Sequence, residues 1–245
     1  MANANTELLL PKVGVFRLIR ASLWHVLLRF APSLIDRMYR YHPTKRILEY
    51  PFVHENIAFG GGSNILDVGS GSSLLPFELV SKGYKVWSLD LKKGYHEVLA
   101  HDGLTFVQLD IRKTDFSDCF FDYVIAISSL EHVGFDGDNI DFDGDIVAIQ
   151  EIWRILKPGC RFIITVPLGK RGTYSVKGKP TWRVYNLPLI QDRLSMFEIE
   201  KMNFALIEGS GWRPAMLDEV QDVDSLVQKR WCSARAVVLV VAKKA

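Results

Sequence analysis

The sequence predicts an α/β fold: a seven-stranded, mainly parallel sheet with helices on both faces and an N-terminal helical extension. Three observations carry this. From residue 64 onward, short apolar runs alternate with segments of helical periodicity. The runs are short, mostly apolar and separated by helices, which suits a mainly parallel sheet covered on both faces. The first of them, Ile65–Val68, breaks into Gly69-Ser70-Gly71, as a strand does when it turns sharply into a helix.

Each element is read in order. Residues 13–30 form an amphipathic helix, with Val15, Ile19, Leu23, Val26, Leu27 and Phe30 on one arc at about 100° per residue. Pro32 ends it, a short helix covers 33–40, and Pro43 and Pro51 punctuate the approach to the main domain. Residues 1–50 are therefore taken as a basic helical extension and 51–245 as the main domain. Ile65–Val68 is the first strand, Leu74–Ser81 a helix closed by Gly83, Lys85–Leu89 the second strand, Thr105–Leu109 the third and Tyr123–Ile127 the fourth. Ile146–Leu156 is a helix with Ile146, Ile149, Trp153 and Leu156 on one face, stopped by Lys157-Pro158-Gly159. Arg161–Val166 is the fifth strand, 168–184 a basic loop, 191–201 a helix and Phe204–Ile207 a strand. The wholly apolar Ala236–Val241 makes a last strand, expected inside the sheet rather than at its edge.

Composition bounds the function. With 48% apolar residues among 245, the chain can bury a sizeable core, and its net charge of +2 gives no general attraction to nucleic acid. The charge is uneven: residues 1–50 hold eight Lys or Arg against three acids. Cys119, Cys160 and Cys232 are widely spaced, which suits a reducing, cytoplasmic setting and small core thiols rather than a disulfide framework. The sequence offers no secretory signal and no run of about 18 apolar residues that could span a bilayer. The basic helix 13–30, with Phe16 and Trp24, could pack on the main domain, lie peripherally on an anionic membrane, or pair with a second copy.

The motifs point to a nucleotide-like ligand. Asn64-Ile65-Leu66-Asp67-Val68-Gly69-Ser70-Gly71-Ser72-Ser73 ends a strand in a carboxylate and two glycines, where bare backbone N–H groups and close approach suit such a ligand. Asp90 follows Gly69 by 21 residues at the end of Val86-Trp87-Ser88-Leu89-Asp90, where it can accept from ribose hydroxyls. Phe106-Val107-Gln108-Leu109-Asp110-Ile111 and Phe121-Asp122-Tyr123-Val124-Ile125-Ala126-Ile127-Ser128-Ser129-Leu130-Glu131-His132-Val133 follow, then Leu156-Lys157-Pro158-Gly159. In this order and spacing the marks resemble the class I S-adenosylmethionine-dependent methyltransferases, over roughly residues 45–245, and so imply a Rossmann-like sheet. The resemblance implies S-adenosyl-L-methionine as cofactor, held by Asp67, Gly69, Gly71, Asp90, Leu91, Asp110, Ile111 and Ser128. Ser73 stands where the family has a third glycine and can cap the following helix.

The sulfonium methyl is already electrophilic, so the protein needs to align an acceptor and remove its proton. Ser128, Glu131 and His132 fall after the fourth strand and are the candidate catalytic residues; His132 can act as a base near neutral pH. Five acids crowd residues 135–145, readable as a solvated loop with Asp143 or Asp145 capping the next helix, or as a substrate-facing loop; no metal site is expected. Lys170, Arg171 and Arg183 suit an anionic acceptor. The expected acceptor is a small molecule, a sugar-like or other hydroxylated metabolite, not nucleic acid. The alternatives are a lipid-linked or quinone-like acceptor at a membrane surface, a nicotinamide-dependent oxidoreductase, and a catalytically silent scaffold.

Overall fold

The computed structural model describes residues 45–58, 61–71, 73–92, 101–136, 140–209, 211–224 and 234–245. The helices expected over 13–30 and 33–40 lie outside the described residues, as do Ser72, Cys232 and residues 137–139 of the acidic segment.

The first described helix, α1 (Arg46–Asn56), buries Glu49, Tyr50, Phe52 and Val53 and contains Pro51. The boundary expected between residues 50 and 51 falls inside it. Strand β1 (Asn64–Val68), helix α2 (Leu75–Ser81) and strands β2 (Lys85–Asp90), β3 (Leu104–Gln108) and β4 (Phe121–Ile127) follow the expected positions within a residue or two. Helix α3 (Gly144–Ile155) buries Ala148, Ile149, Ile152 and Ile155, so its core-facing stripe is turned about one residue from the face read in the sequence. Ile146 and Trp153 are only partly covered.

Strand β5 (Leu156–Leu168) starts directly after α3. The expected Lys157-Pro158-Gly159 stop is a bulge within it: the partner of β4 jumps from Leu156 to Arg161 while β4 advances only from Phe121 to Tyr123. Gly159, at φ +73°, makes the kink. The basic segment expected as a loop is an antiparallel hairpin of β6 (Gly172–Val176) and β7 (Lys179–Val184), closed by Lys177 and Gly178 with positive φ. Helix α4 (Leu187–Arg193) ends before most of the helix expected over 191–201. Strand β8 (Phe197–Glu208) takes that sequence instead, because it pairs with β10 (Ala236–Lys244) from Phe197↔Lys244 to Leu206↔Ala236. Sheet pairing overrides the local helical pattern. A strand absent from the sequence reading, β9 (Gly211–Ala215), pairs with β8, and helix α5 (Leu217–Val220) follows.

Among the described residues the main sheet therefore has eight strands, not seven, in the order β3-β2-β1-β4-β5-β10-β8-β9. Strands β3, β2, β1, β4 and β5 run parallel, and β10 lies antiparallel between β5 and β8, inside the sheet as its apolar sequence predicts. One face carries α1 and α2, and the other carries α3, α4 and α5. Lys244 is buried at the end of β10, where its ammonium donates to the carbonyls of Trp153 (2.7 Å) and Leu156 (2.7 Å) and so caps α3. The strand order reverses between β1 and β4, which opens a crevice at their C-terminal ends.

Of the thiols expected to act as core residues, Cys119 is exposed in a positive-φ turn and Cys160 is half-buried on the β5 bulge.

Candidate active site

The β1–α2 turn is built around Gly69. Its φ of +68° favours glycine, and a Cβ there would sit 2.5 Å from the Cβ of Ser129. The N–H of Gly69 donates to Leu89 O (2.8 Å), which ties the turn to the end of β2. Asp90 is fixed in turn: its Oδ2 accepts from Gly71 N–H (2.8 Å) and its Oδ1 from Lys92 N–H (2.9 Å). Ser73 does not cap α2 as expected, because the N-cap position falls on Leu74; its Oγ accepts from Leu75 N–H (3.2 Å) and also bonds Tyr50 of α1.

These tips border an open cleft of about 210 Å³, walled by Gly69, Asp90, Leu91, Asp110, Ile111, Ser128, Ser129 and His132 among others. Seven of the ten residues read from the sequence thus meet here: Gly69, Asp90, Leu91, Asp110, Ile111, Ser128 and His132. Asp67, Gly71 and Glu131 do not line the cleft. Gly71 acts through its bond to Asp90. Glu131 is buried beneath the 3-10 turn Leu130–His132, 4.0 Å from Lys45, and this removes it from the cleft wall.

Asp67 lies buried at the end of β1, and its Oδ2 has no hydrogen-bond partner among the described residues. Burial raises its pKa to about 7; the Arg46 charge opposes this and the Asp90 charge adds to it. Asp110 is the reverse case. Burial acts to raise it, but bonds from the Arg112 side chain (2.6 Å to Oδ2) and backbone N–H hold its carboxyl below the usual value.

His132 has a defined tautomer. Its Nδ1 lies 2.9 Å from the carbonyl oxygen of Thr181, which can only accept, so Nδ1 carries the proton. The neutral ring then has its lone pair on Nε2. The hairpin supports this face: Trp182 stacks on Tyr174 at 3.8 Å, and its ring edge meets His132.

Four further residues were not singled out in the sequence: Arg46, Glu49 and Tyr50 on α1, and Thr165 on β5. Glu49 is fully buried. Its Oε1 accepts from Ser128 Oγ (2.6 Å) and Thr165 Oγ1 (2.7 Å), and its Oε2 pairs with Arg46 Nη1 (2.8 Å). Burial pushes the Glu49 carboxyl up, yet Arg46, Lys45 and the two hydroxyls outweigh it and hold the carboxyl below its ordinary value. A signal existed for both: Glu49 stands among apolar residues of α1, and Thr165 interrupts Phe162-Ile163-Ile164-Thr165-Val166. Buried polar side chains need partners, so each implies one nearby.

The charged loops are mostly structural. Arg183, read as a ligand for an anionic acceptor, is buried; it donates to the carbonyls of Leu130 (3.0 Å), Val133 (2.8 Å) and Phe142 (3.0 Å) and lies over the Phe135 ring. Within the acidic segment, Asp145 is buried and accepts from Tyr185 (3.0 Å) and Arg193 (3.1 Å). Asp143 precedes α3 but makes no side-chain cap. Among the described residues, no group of three or more His, Cys, Asp or Glu side chains is placed to hold a metal. No helix among them is long and apolar enough to cross a membrane.

A glycine turn after β1, carboxylates at or just beyond the ends of β1, β2 and β3, and a crevice at the strand-order reversal define a Rossmann-like α/β fold. Residues 66–164 match the family model described as a methyltransferase domain. Three solved structures share the fold. An S-adenosylmethionine-dependent methyltransferase from Methanosarcina mazei aligns at 18% identity with TM-score 0.59, over 80% of this chain and 97% of that one. The 1,6-didemethyltoxoflavin-N1-methyltransferase of Burkholderia thailandensis, solved with its substrate and S-adenosylhomocysteine, aligns at 16% identity with TM-score 0.60, over 92% and 90%. The N-methyltransferase NodS of Bradyrhizobium japonicum, with S-adenosylhomocysteine, aligns at 12% identity with TM-score 0.55, over 83% and 89%. No curated protein matches. Over residues 66–164 the chain thus matches a methyltransferase domain, set in the fold that these S-adenosylmethionine-dependent enzymes share.

Proposed function

We propose that the cleft holds S-adenosylmethionine and that the enzyme methylates a hydroxyl of a small, sugar-like or otherwise hydroxylated acceptor. The residues suit the cofactor: the Gly69 turn admits close approach, Asp90 is pinned by two backbone N–H groups, and Asp67 holds a buried oxygen without a partner among the described residues. Asp90 would accept from the ribose hydroxyls and Asp110 from the adenine amine, sharing its carboxylate with Arg112. Leu91 and Ile111 would supply apolar contact, and Asp67 would serve the cationic end of the methionine part, with Gly71 acting through Asp90.

When bound, the cofactor supplies an electrophilic methyl group that needs no activation. The chain's own work is to orient the acceptor and take its proton. His132 carries this reading: with Nδ1–H given to Thr181 O, Nε2 is the basic atom of a residue in the cleft wall. The acceptor hydroxyl would give its proton to Nε2 as its oxygen takes the methyl carbon and the carbon–sulfur bond breaks. Ser128 would be a ligand to the cofactor or acceptor, and Glu131 would support the turn that carries His132 rather than touch the reacting atoms.

A labelled-methyl assay over hydroxylated, phenolic, nucleotide-sugar and amine acceptors tests this, with His132→Gln alongside. Turnover of a hydroxyl acceptor that drops about 10²-fold or more in the variant is the expected result for a lost general base. Methylation confined to amines, or unchanged turnover in the variant, would refute it.

A further inference from the structure

We propose that Glu49 is a positioning residue that makes the cleft prefer a cationic methyl donor over its neutral thioether product; this rests on the reading that the cleft holds that donor. Ser128 lies in the cleft wall with φ +50°, a left-handed conformation unusual for a residue other than glycine. It is held there from two sides. Its N–H donates to the backbone of Thr165 (3.0 Å) and to Thr165 Oγ1 (3.1 Å), and its hydroxyl donates to Glu49 Oε1 (2.6 Å). Thr165 also gives its hydroxyl proton to Glu49 Oε1 (2.7 Å).

An ionised carboxylate can only accept, so both hydroxyl protons are committed to it. Ser128 Oγ is left with lone pairs alone and cannot act as a donor toward anything in the cleft. Arg46 fixes the geometry by binding Glu49 Oε2 (2.8 Å) and donating to Ile127 O (3.2 Å), the last residue of β4. The arrangement presents an obligate acceptor polarised by a carboxylate whose charge is shared with Arg46, while Asp67 and Asp90 add carboxylates at neighbouring strand ends. Such a wall favours a ligand with positive charge and gives little to the same ligand after the charge is gone. Methyl transfer converts a sulfonium to a thioether, so this preference would ease product release.

The test is calorimetric titration of the full chain with S-adenosylmethionine and with S-adenosylhomocysteine, for the wild type, Glu49→Gln and Ser128→Ala. Affinity for the cation should fall about tenfold in each variant, an effect on the scale of one charge-assisted hydrogen bond, while affinity for the thioether changes less than about threefold. Equal losses for both ligands, or no loss, would overturn the proposal. Ser128→Ala leaves the Arg46–Glu49 pair and the Thr165 bond in place, so it gives the answer even if Glu49→Gln does not fold. Failure of the wild type to bind either ligand would instead refute the assignment of the cleft.

Discussion

Replacing Asp67 by Asn should stabilise the ligand-free protein and weaken its hold on the cofactor. Asp67 is buried with one oxygen unpartnered, and its pKa stands at about 7 against an ordinary 3.8. Between these values the folded chain keeps a proton that the unfolded chain has released, so stability falls as pH rises. A tenfold change in proton affinity is worth about 1.4 kcal/mol, so the full penalty, reached above pH 7, is about 4 kcal/mol. Asparagine carries no such penalty. The stability difference between Asp67→Asn and wild type should therefore be near zero at the acid end of the window and grow toward neutrality. Between pH 5.5 and pH 8 it should widen by about 2 kcal/mol. Urea denaturation of both proteins at four or five pH values measures this. Calorimetry at pH 8 should show cofactor affinity reduced at least tenfold, since the variant lacks the charge that answers an ammonium group. Parallel stability–pH curves would refute the reasoning, because they would mean that Asp67 is solvated or paired in the folded protein.

Three other outcomes follow from the same geometry. Gly69→Ala should fold with an altered turn and lose measurable cofactor binding by calorimetry, because its Cβ would meet Ser129 at 2.5 Å in a positive-φ conformation. Arg183→Ala should cost about 3 kcal/mol in chemical denaturation by leaving buried carbonyls without a donor, and should loosen the hairpin over His132, seen as faster hydrogen exchange in β6 and β7. Lys244→Met keeps the aliphatic stem but removes the cap on α3, and should cost about 1–2 kcal/mol with cofactor affinity unchanged.

Much of the fold was legible because the central strands carry their own signal. Val124, Ile125, Ala126 and Ile127 are apolar on both faces, and only a doubly covered strand makes use of such a run. The carboxylates at 90 and 110 were legible because each closes an apolar run, which places it at a strand tip. What was not legible depended on partners distant in sequence. Residues 197–201 look helical alone and become strand only when Val241 to Lys244 pair with them. The hairpin under 172–184 is rich in Lys and Gly and shows its apolar side only through Trp182 and Val184, which pack inward. Glu131 and Arg183 were read by residue type, but burial decided their roles: a charge adjacent in sequence to His132 can still point away from the cleft. The contribution of α1 was missed because Glu49 meets Ser128 across 79 residues of chain, a span that no local pattern covers.

The interior slot taken by residues 236–244 governs how this sheet is assembled. The parallel units from 64 to 127 join neighbours close in sequence and can form early. The strands 156–168 and 197–208, by contrast, must wait with their inner edges uncovered until a much later segment arrives between them. On a ribosome, that interval leaves two unpaired strand edges exposed to other nascent chains. Chains arrested before residue 236 are therefore expected to aggregate more readily than the full chain, the consequence of sealing the sheet from within.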